Sequence, residues 1–170
     1  MTHFKRGRIV MFFEDTNSPW TTRALSVLRI VTGMLFFEHG LQKIFDFPAA
    51  ATPVPYHPLS LLGLAGMIET FGGFLILIGL FTRPAAFLAS GEMAVAYFKV
   101  HIERSFFPIN NRGDNVVLFC FVMLYLAFAG GGVWALDHWF ATRRRAGDPT
   151  SASSPSRSRP PSRSPVHATE

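Results

Sequence analysis

The stretch Arg29 to Lys43, RIVTGMLFFEHGLQK, is an apolar run of membrane-span character that also carries Arg29, Glu38, His39, Gln42 and Lys43. Ionisable side chains inside a bilayer are costly unless they pair or face a protein-lined cavity. On a helix, Arg29, His39 and Lys43 fall within about 80° of one another, with Glu38 and Gln42 on the adjoining side. His39 and Lys43 stand one turn apart at i,i+4. A helix polar over half its circumference cannot lie alone in lipid, so the rest of the chain must supply partner helices.

Composition agrees. The chain has 170 residues, 49% of them hydrophobic and 16% charged, with 18 Phe and a mean hydropathy of +0.26. That balance suits a small polytopic membrane protein better than a soluble domain. The formal charge of +5 comes largely from the two ends, outside the apolar runs, where positive-inside topology puts basic residues, and not from a nucleic-acid-binding patch. The single cysteine, Cys120, excludes an intramolecular disulfide, a CxxC redox pair or a cysteine-rich zinc site. No HxxxH or ExxH pair sets two metal ligands on one helical face, so no metal is expected. A GxGxxG following a strand is absent too, which leaves no flavin or nicotinamide fingerprint.

The segment 1–21 reads as a cytoplasmic leader, with Lys5, Arg6 and Arg8 beside Ile9 to Phe13, an apolar run too short for a span or a signal-peptide h-region. Met11 is a second candidate start. Ser18 and Pro19 predict a helix N-cap and first helical residue. The first span is read as about 22–45, long enough for a hydrocarbon core of roughly 30 Å. The Pro-rich segment 46–58 is a loop. The second span, about 59–81, holds Glu69 with Gly66, Gly72 and Gly73 at i−3, i+3 and i+4, a spacing that reads as a close-packing seam ahead of a ligand role. Thr82, Arg83 and Pro84 are expected to form a turn. The third span, about 84–102, sets Glu92, Ala96 and Lys99 on one face. The connector 103–115 reads as an interfacial piece. The fourth span, about 116–136, meets Gly130, Gly131 and Gly132, which are candidate helix terminators. A basic Ser/Pro/Arg tail, 141–170, is expected to be disordered.

The fold class predicted is therefore all-α, a polytopic membrane four-helix bundle over 22–140. Basic residues at both ends and at Arg83 predict an N-in/C-in orientation, although Arg104 and Arg112 fall on the outer side. A bacterial inner membrane is the expected location.

Four blocks carry a resemblance: HGLQK at 39–43, ETFGGFLILIGLFTRPAA at 69–86, GEMAVAYF at 91–98 and GGGVWALD at 130–137. In this order they resemble the DoxX family of small four-helix membrane proteins, over about residues 23–139. The resemblance implies an integral membrane protein, often associated with quinone-linked oxidoreductase complexes and working with a soluble partner. The best-known relatives look like the membrane part of an archaeal thiosulfate:quinone oxidoreductase.

Candidate chemistry rests on the polar residues of the spans. A quinone site needs a hydrogen-bond donor for each carbonyl oxygen and a route for two protons, and His with Lys or Glu in an apolar cleft supplies both. In that reading His39 and Lys43 hold or protonate the quinone head while Glu69 and Glu92 tune charge or relay protons, and Arg29, Glu38 and Lys99 bind or pair nearby. The same residues also suit a structural role, in which Glu69 and Glu92 pair with Lys43, Arg29 or Lys99 and hold the helices in register. Both remain open, as do three function classes: an oxidoreductase subunit acting with a soluble partner, a non-catalytic scaffold or assembly factor, and a small-molecule carrier. The carrier reading lacks an inverted repeat with paired broken spans. An oligomer is compatible with every class. His57 reads as a solvated loop residue, His101 as an interfacial anchor, Asn115 and Asp137 as helix caps. The geometrical expectation is that His39, Lys43, Glu69 and Glu92 face one interior.

Overall fold

The computed structural model describes residues 18–52 and 55–146. The regular structure among them is helical. Helix α1 spans Pro19–Phe45 and opens as expected: the Ser18 side chain accepts the Trp20 N–H and Pro19 takes a first-turn position, where a missing N–H costs nothing. It ends at Asp46, whose φ of +51° turns the chain out of the helix.

Helix α2 covers Leu61–Ile78 and is shorter than the expected 59–81. The Ser60 hydroxyl caps it by accepting the Gly63 N–H at 3.0 Å. Gly79, at φ +74°, stops it, with both Gly79 and Leu80 donating back to the Leu75 carbonyl at 2.9 and 3.0 Å. Within α2, Ile68–Gly72 widens into a π turn.

Helix α3 runs over Thr82–Ala96 and continues as a second π turn, Tyr97–His101. Thr82, Arg83 and Pro84, expected as a turn, are instead its first turn; the reversal lies just before them, at Gly79 to Phe81. Proline is tolerated there because first-turn N–H groups have no intrahelical acceptor. The Asp137 carboxylate, arriving from far along the chain, accepts the Phe81 and Thr82 N–H groups at 2.9 Å each.

The short helix α4, Pro108–Asn111, lies in the third connector, and α5 spans Asp114–Ala129. Gly130, at φ +86°, ends α5 well before 136, so the glycine run does terminate the fourth apolar segment. Helix α6, Leu136–Ala146, follows. Residues 141–146 are thus helical, a correction to the expected tail. Asp137 in the first turn complements the helix dipole, and Arg143 stacks on the Trp139 ring one turn earlier, 3.8 Å from its centroid. The calls on 1–17 and 147–170 lie outside the described residues.

Helices α1 and α2 are each long and apolar enough to cross a membrane; α5 is apolar but shorter. Helix α1 lies along α2 and α3 along α5, around a core that includes Phe36, Ile76, Ala86, Met93, Met123 and Leu126. Large apolar side chains such as Val31, Phe71, Phe87, Phe121 and Phe128 point outward, as lipid-facing residues do.

The α1–α2 contact is set by glycines. A Cβ on Gly33 would lie 2.6 Å from the Leu77 nitrogen, and one on Gly73 would lie 2.5 Å from that of Phe37. A Cβ on Gly40 would run into the Thr70 backbone. The seam reading therefore holds for Gly73, and Gly66 abuts the Lys43 and Ile44 side chains. Gly33→Val is expected to force the two helices apart at a cost of about 1–3 kcal/mol, read as a lower thermal midpoint of the detergent-solubilised protein; an unchanged midpoint would contradict the seam.

Candidate functional site: a polar-lined cavity between the helices

Two separate polar constructions emerge from the residues singled out in the sequence. Arg29 belongs to the first. It is 1% exposed, and its guanidinium donates to the Ile76 carbonyl at 2.7 Å, to Gly131 at 2.8 Å, to Trp134 at 3.1 Å and to Leu77. Three of these carbonyls, those of Leu77, Gly131 and Trp134, receive no backbone N–H, while Ile76 also accepts from Gly79 at 3.1 Å. Five donors in a planar fork suit several such acceptors at once. Close by, the Trp134 N–H donates to the Ser26 hydroxyl at 3.2 Å and the Asp137 N–H to the Gly79 carbonyl at 2.9 Å. The GGGVWALD block thus ties α1, the α2–α3 turn and the start of α6 into one knot. Arg29 does not pair with Glu69 or Glu92; ten residues from His39 put it about 15 Å away along the helix.

The second construction is a cavity of about 920 Å³ lined by His39 and Lys43 of α1, Glu69 of α2, Glu92, Lys99 and His101 of α3, and Asn115 of α5. Its other walls are apolar, among them Leu62, Leu64, Phe87, Val95, Val100 and Phe119. Helices α2 and α3 meet near their shared turn and as far as the π segment of Glu69, and their far halves diverge. Exposed Leu62, Leu64, Phe87, Leu88 and Val95 edge the opening, so the cavity gives out sideways between two apolar helices.

Glu69 is 2% exposed and forms an ion pair with Lys43, Nζ to Oε1 at 2.6 Å. The π turn of α2 carries Glu69, and the Thr70 hydroxyl donates to the Gly66 carbonyl at 2.7 Å within that widened backbone. Glu69 Oε2 and Glu92 Oε2 are buried and have no hydrogen-bond partner. His39 Nδ1 lies 2.7 Å from the Leu35 carbonyl. A carbonyl only accepts, so Nδ1 carries a proton there. The ring also packs edge-on against Phe119, centroids 5.7 Å apart.

Five of the seven residues singled out in the sequence therefore share this cavity, including all four expected to face one interior. Arg29 and Glu38 do not. Glu38 is exposed, and the orientation of the His39 ring is fixed by Leu35, one turn back. Sequence reasoning missed His101, read as an anchor, and Asn115, read as a cap. It also missed Asn111, fully buried, whose side-chain amide donates to the Ser105 carbonyl at 2.7 Å while its Oδ1 accepts the Gly113 N–H at 2.7 Å. Its carbonyl in turn accepts from His101 Nδ1 at 3.1 Å. A lone Asn between two apolar runs gives no signal of such a network. Lys43 lines a further cavity of about 400 Å³ with Gln42, Asp46, Thr52 and Tyr56 beneath the first connector.

Fold and cavity define a protein, helical over its described residues, in which two membrane-length helices and their neighbours enclose ionisable groups in a largely apolar space. The chain belongs to the DoxX family, whose profile matches residues 24–102. An uncharacterized protein of Haemophilus influenzae is 43% identical over 122 residues, covering 68% of this chain and 90% of that protein. A Bacillus subtilis protein named "Putative oxidoreductase CatD" is 28% identical over 127 residues, 72% of this chain and 90% of that one. An uncharacterized membrane protein of Mycobacterium tuberculosis is 24% identical over 135 residues, 70% and 82% of the two chains. No solved structure matches. Family and relatives make this chain a DoxX-like membrane protein.

Proposed function

We propose that this chain is the membrane subunit of a quinone-linked oxidoreductase, with the quinone head held in the cavity between α1, α2, α3 and α5. One observation carries the reading: His39, Lys43, Glu69 and Glu92, from three helices, line a single apolar-walled space of about 920 Å³, of the size that takes a small lipophilic ligand. An opening between the apolar faces of α2 and α3 suits a ligand that arrives through the bilayer. The naming of the Bacillus relative as an oxidoreductase points the same way.

A bound quinone supplies the two-electron, two-proton redox couple. Lys43, with two ammonium protons beyond the one given to Glu69, is the donor for a ring oxygen. His39 Nε2 and the unpaired Glu92 carboxylate are the groups that exchange protons with the head. Because Lys43 also faces the cavity beneath the first connector, the polar groups Gln42, Asp46 and Tyr56 offer those protons a way to water. A soluble partner is the source or sink of electrons.

In this reading α1, α2, α3 and α5 are four bilayer spans in a bacterial inner membrane. Arg23, Arg83, Arg143 and Arg144 belong to the end of the molecule where Arg29 and Asp137 tie the chain together, which supports N-in/C-in by the positive-inside rule. The Lys43–Glu69 pair favours one competing reading, a scaffold in which the pair merely sets helix register. Saturable binding of a short-chain quinone by the purified chain in lipid nanodiscs supports the quinone site. Absence of binding, with the protein folded, leaves the scaffold.

A further inference from the structure

Resting on that reading, we infer that the cavity selects the reduced partner of the couple, a dihydroxyaromatic such as a hydroquinone, and holds it through its two hydroxyl donors. The buried, unpartnered polar atoms that face the space are Glu69 Oε2 and Glu92 Oε2. Both are acceptors. Glu69 Oε1 is already taken by Lys43, and no hydrogen bond reaches Glu92 among the described residues.

A buried polar atom left without a partner is destabilising, and native proteins leave few of them. Two carboxylate oxygens on neighbouring helices are answered by a ligand that brings two O–H donors on a flat apolar body. A quinone brings two further acceptors, which face those oxygens without complement and must turn to the Lys43 and Lys99 ammonium groups or the Asn115 amide. Hydrogen bonds from hydroxyl to carboxylate are short and strong, so the reduced form is expected to bind at least about tenfold tighter than the oxidised one. Glu92→Gln replaces one acceptor with an amide that also donates, and is expected to shrink or invert that preference.

The test is anaerobic calorimetry on the full chain in nanodiscs, titrated with 2,3-dimethoxy-5-methylhydroquinone and with the corresponding benzoquinone, for the native protein and for Glu92→Gln. A tenfold hydroquinone preference that falls in the variant supports the inference. Equal or tighter binding of the benzoquinone to the native protein overturns it while leaving the quinone site intact. A hydroquinone preference untouched in a folded Glu92→Gln overturns the assignment to the carboxylates. Binding of neither compound removes the site itself. The comparison of the two redox forms needs only the native chain, so a variant that fails to fold does not block it.

Discussion

Arg29→Met is expected to destabilise the protein by about 3–5 kcal/mol, the range for removing one partner from a buried charged network. Methionine keeps much of the volume and removes every donor. The carbonyls of Leu77, Gly131 and Trp134 receive no other backbone N–H, so the variant leaves one buried and two part-buried acceptors unanswered where the end of α2 meets the glycine loop. Arg29→Lys is not expected to rescue it, since a single ammonium cannot reach the spread of acceptors that the planar fork reaches. The measurement is the unfolding midpoint in mild detergent, together with the yield of inserted protein. Quinone binding by whatever fraction folds should be unaltered, because the cavity lies about 15 Å along α1 from this residue. A midpoint close to that of the native protein would contradict a structural role for Arg29.

The opposite pattern is expected at the cavity. His39→Ala and Glu69→Gln should insert and fold, yet bind the reduced quinone roughly 10–100-fold more weakly, the equivalent of losing one hydrogen bond to a charged group. His39 is exposed toward the cavity and its removal leaves only the Leu35 carbonyl, a helical acceptor, without its extra donor. Glutamine at position 69 keeps an oxygen for Lys43 while discarding the charge. If the ion pair only holds the helices in register, Glu69→Gln should instead lose up to about 3–5 kcal/mol of stability, the range for breaking a buried pair, and ligand binding should be unaffected in the folded remainder. Thermal midpoint and dissociation constant, measured on the same preparations, separate the two outcomes.

Much of this arrangement was legible in the residues. The charge on α1 demanded partners, and one carboxylate each on the second and third spans met the demand, so the grouping of His39, Lys43, Glu69 and Glu92 followed from sign and helical phase. Ser18 with Pro19 fixed the start of α1 through local capping alone. Phase without length was the weak point. Arg29 shares the face of His39 and Lys43, but the face is long, and which carbonyls it meets depends on a loop one hundred residues away. Asp137 capping α3 is equally non-local, so the α2–α3 reversal was placed at Thr82–Pro84 when it lies at Gly79–Phe81. The π turns at 68–72 and 97–101 have no residue signature, and the second of them belongs to the segment that carries His101, a cavity residue read as an anchor. The helix through 146 was hidden by its composition, since three consecutive arginines resemble a tail until the stacking of Arg143 on Trp139 is seen.

The central claim is that one cavity, bounded by α1, α2, α3 and α5, holds a quinone head. Its most direct test is photolabelling of the purified native protein in nanodiscs with an azidoquinone, followed by peptide mapping with and without excess unlabelled quinone. Competable label on peptides containing His39, Glu92 or Phe119 is the predicted result. Label that is not competed, or that falls on the outward faces away from these residues, would contradict it.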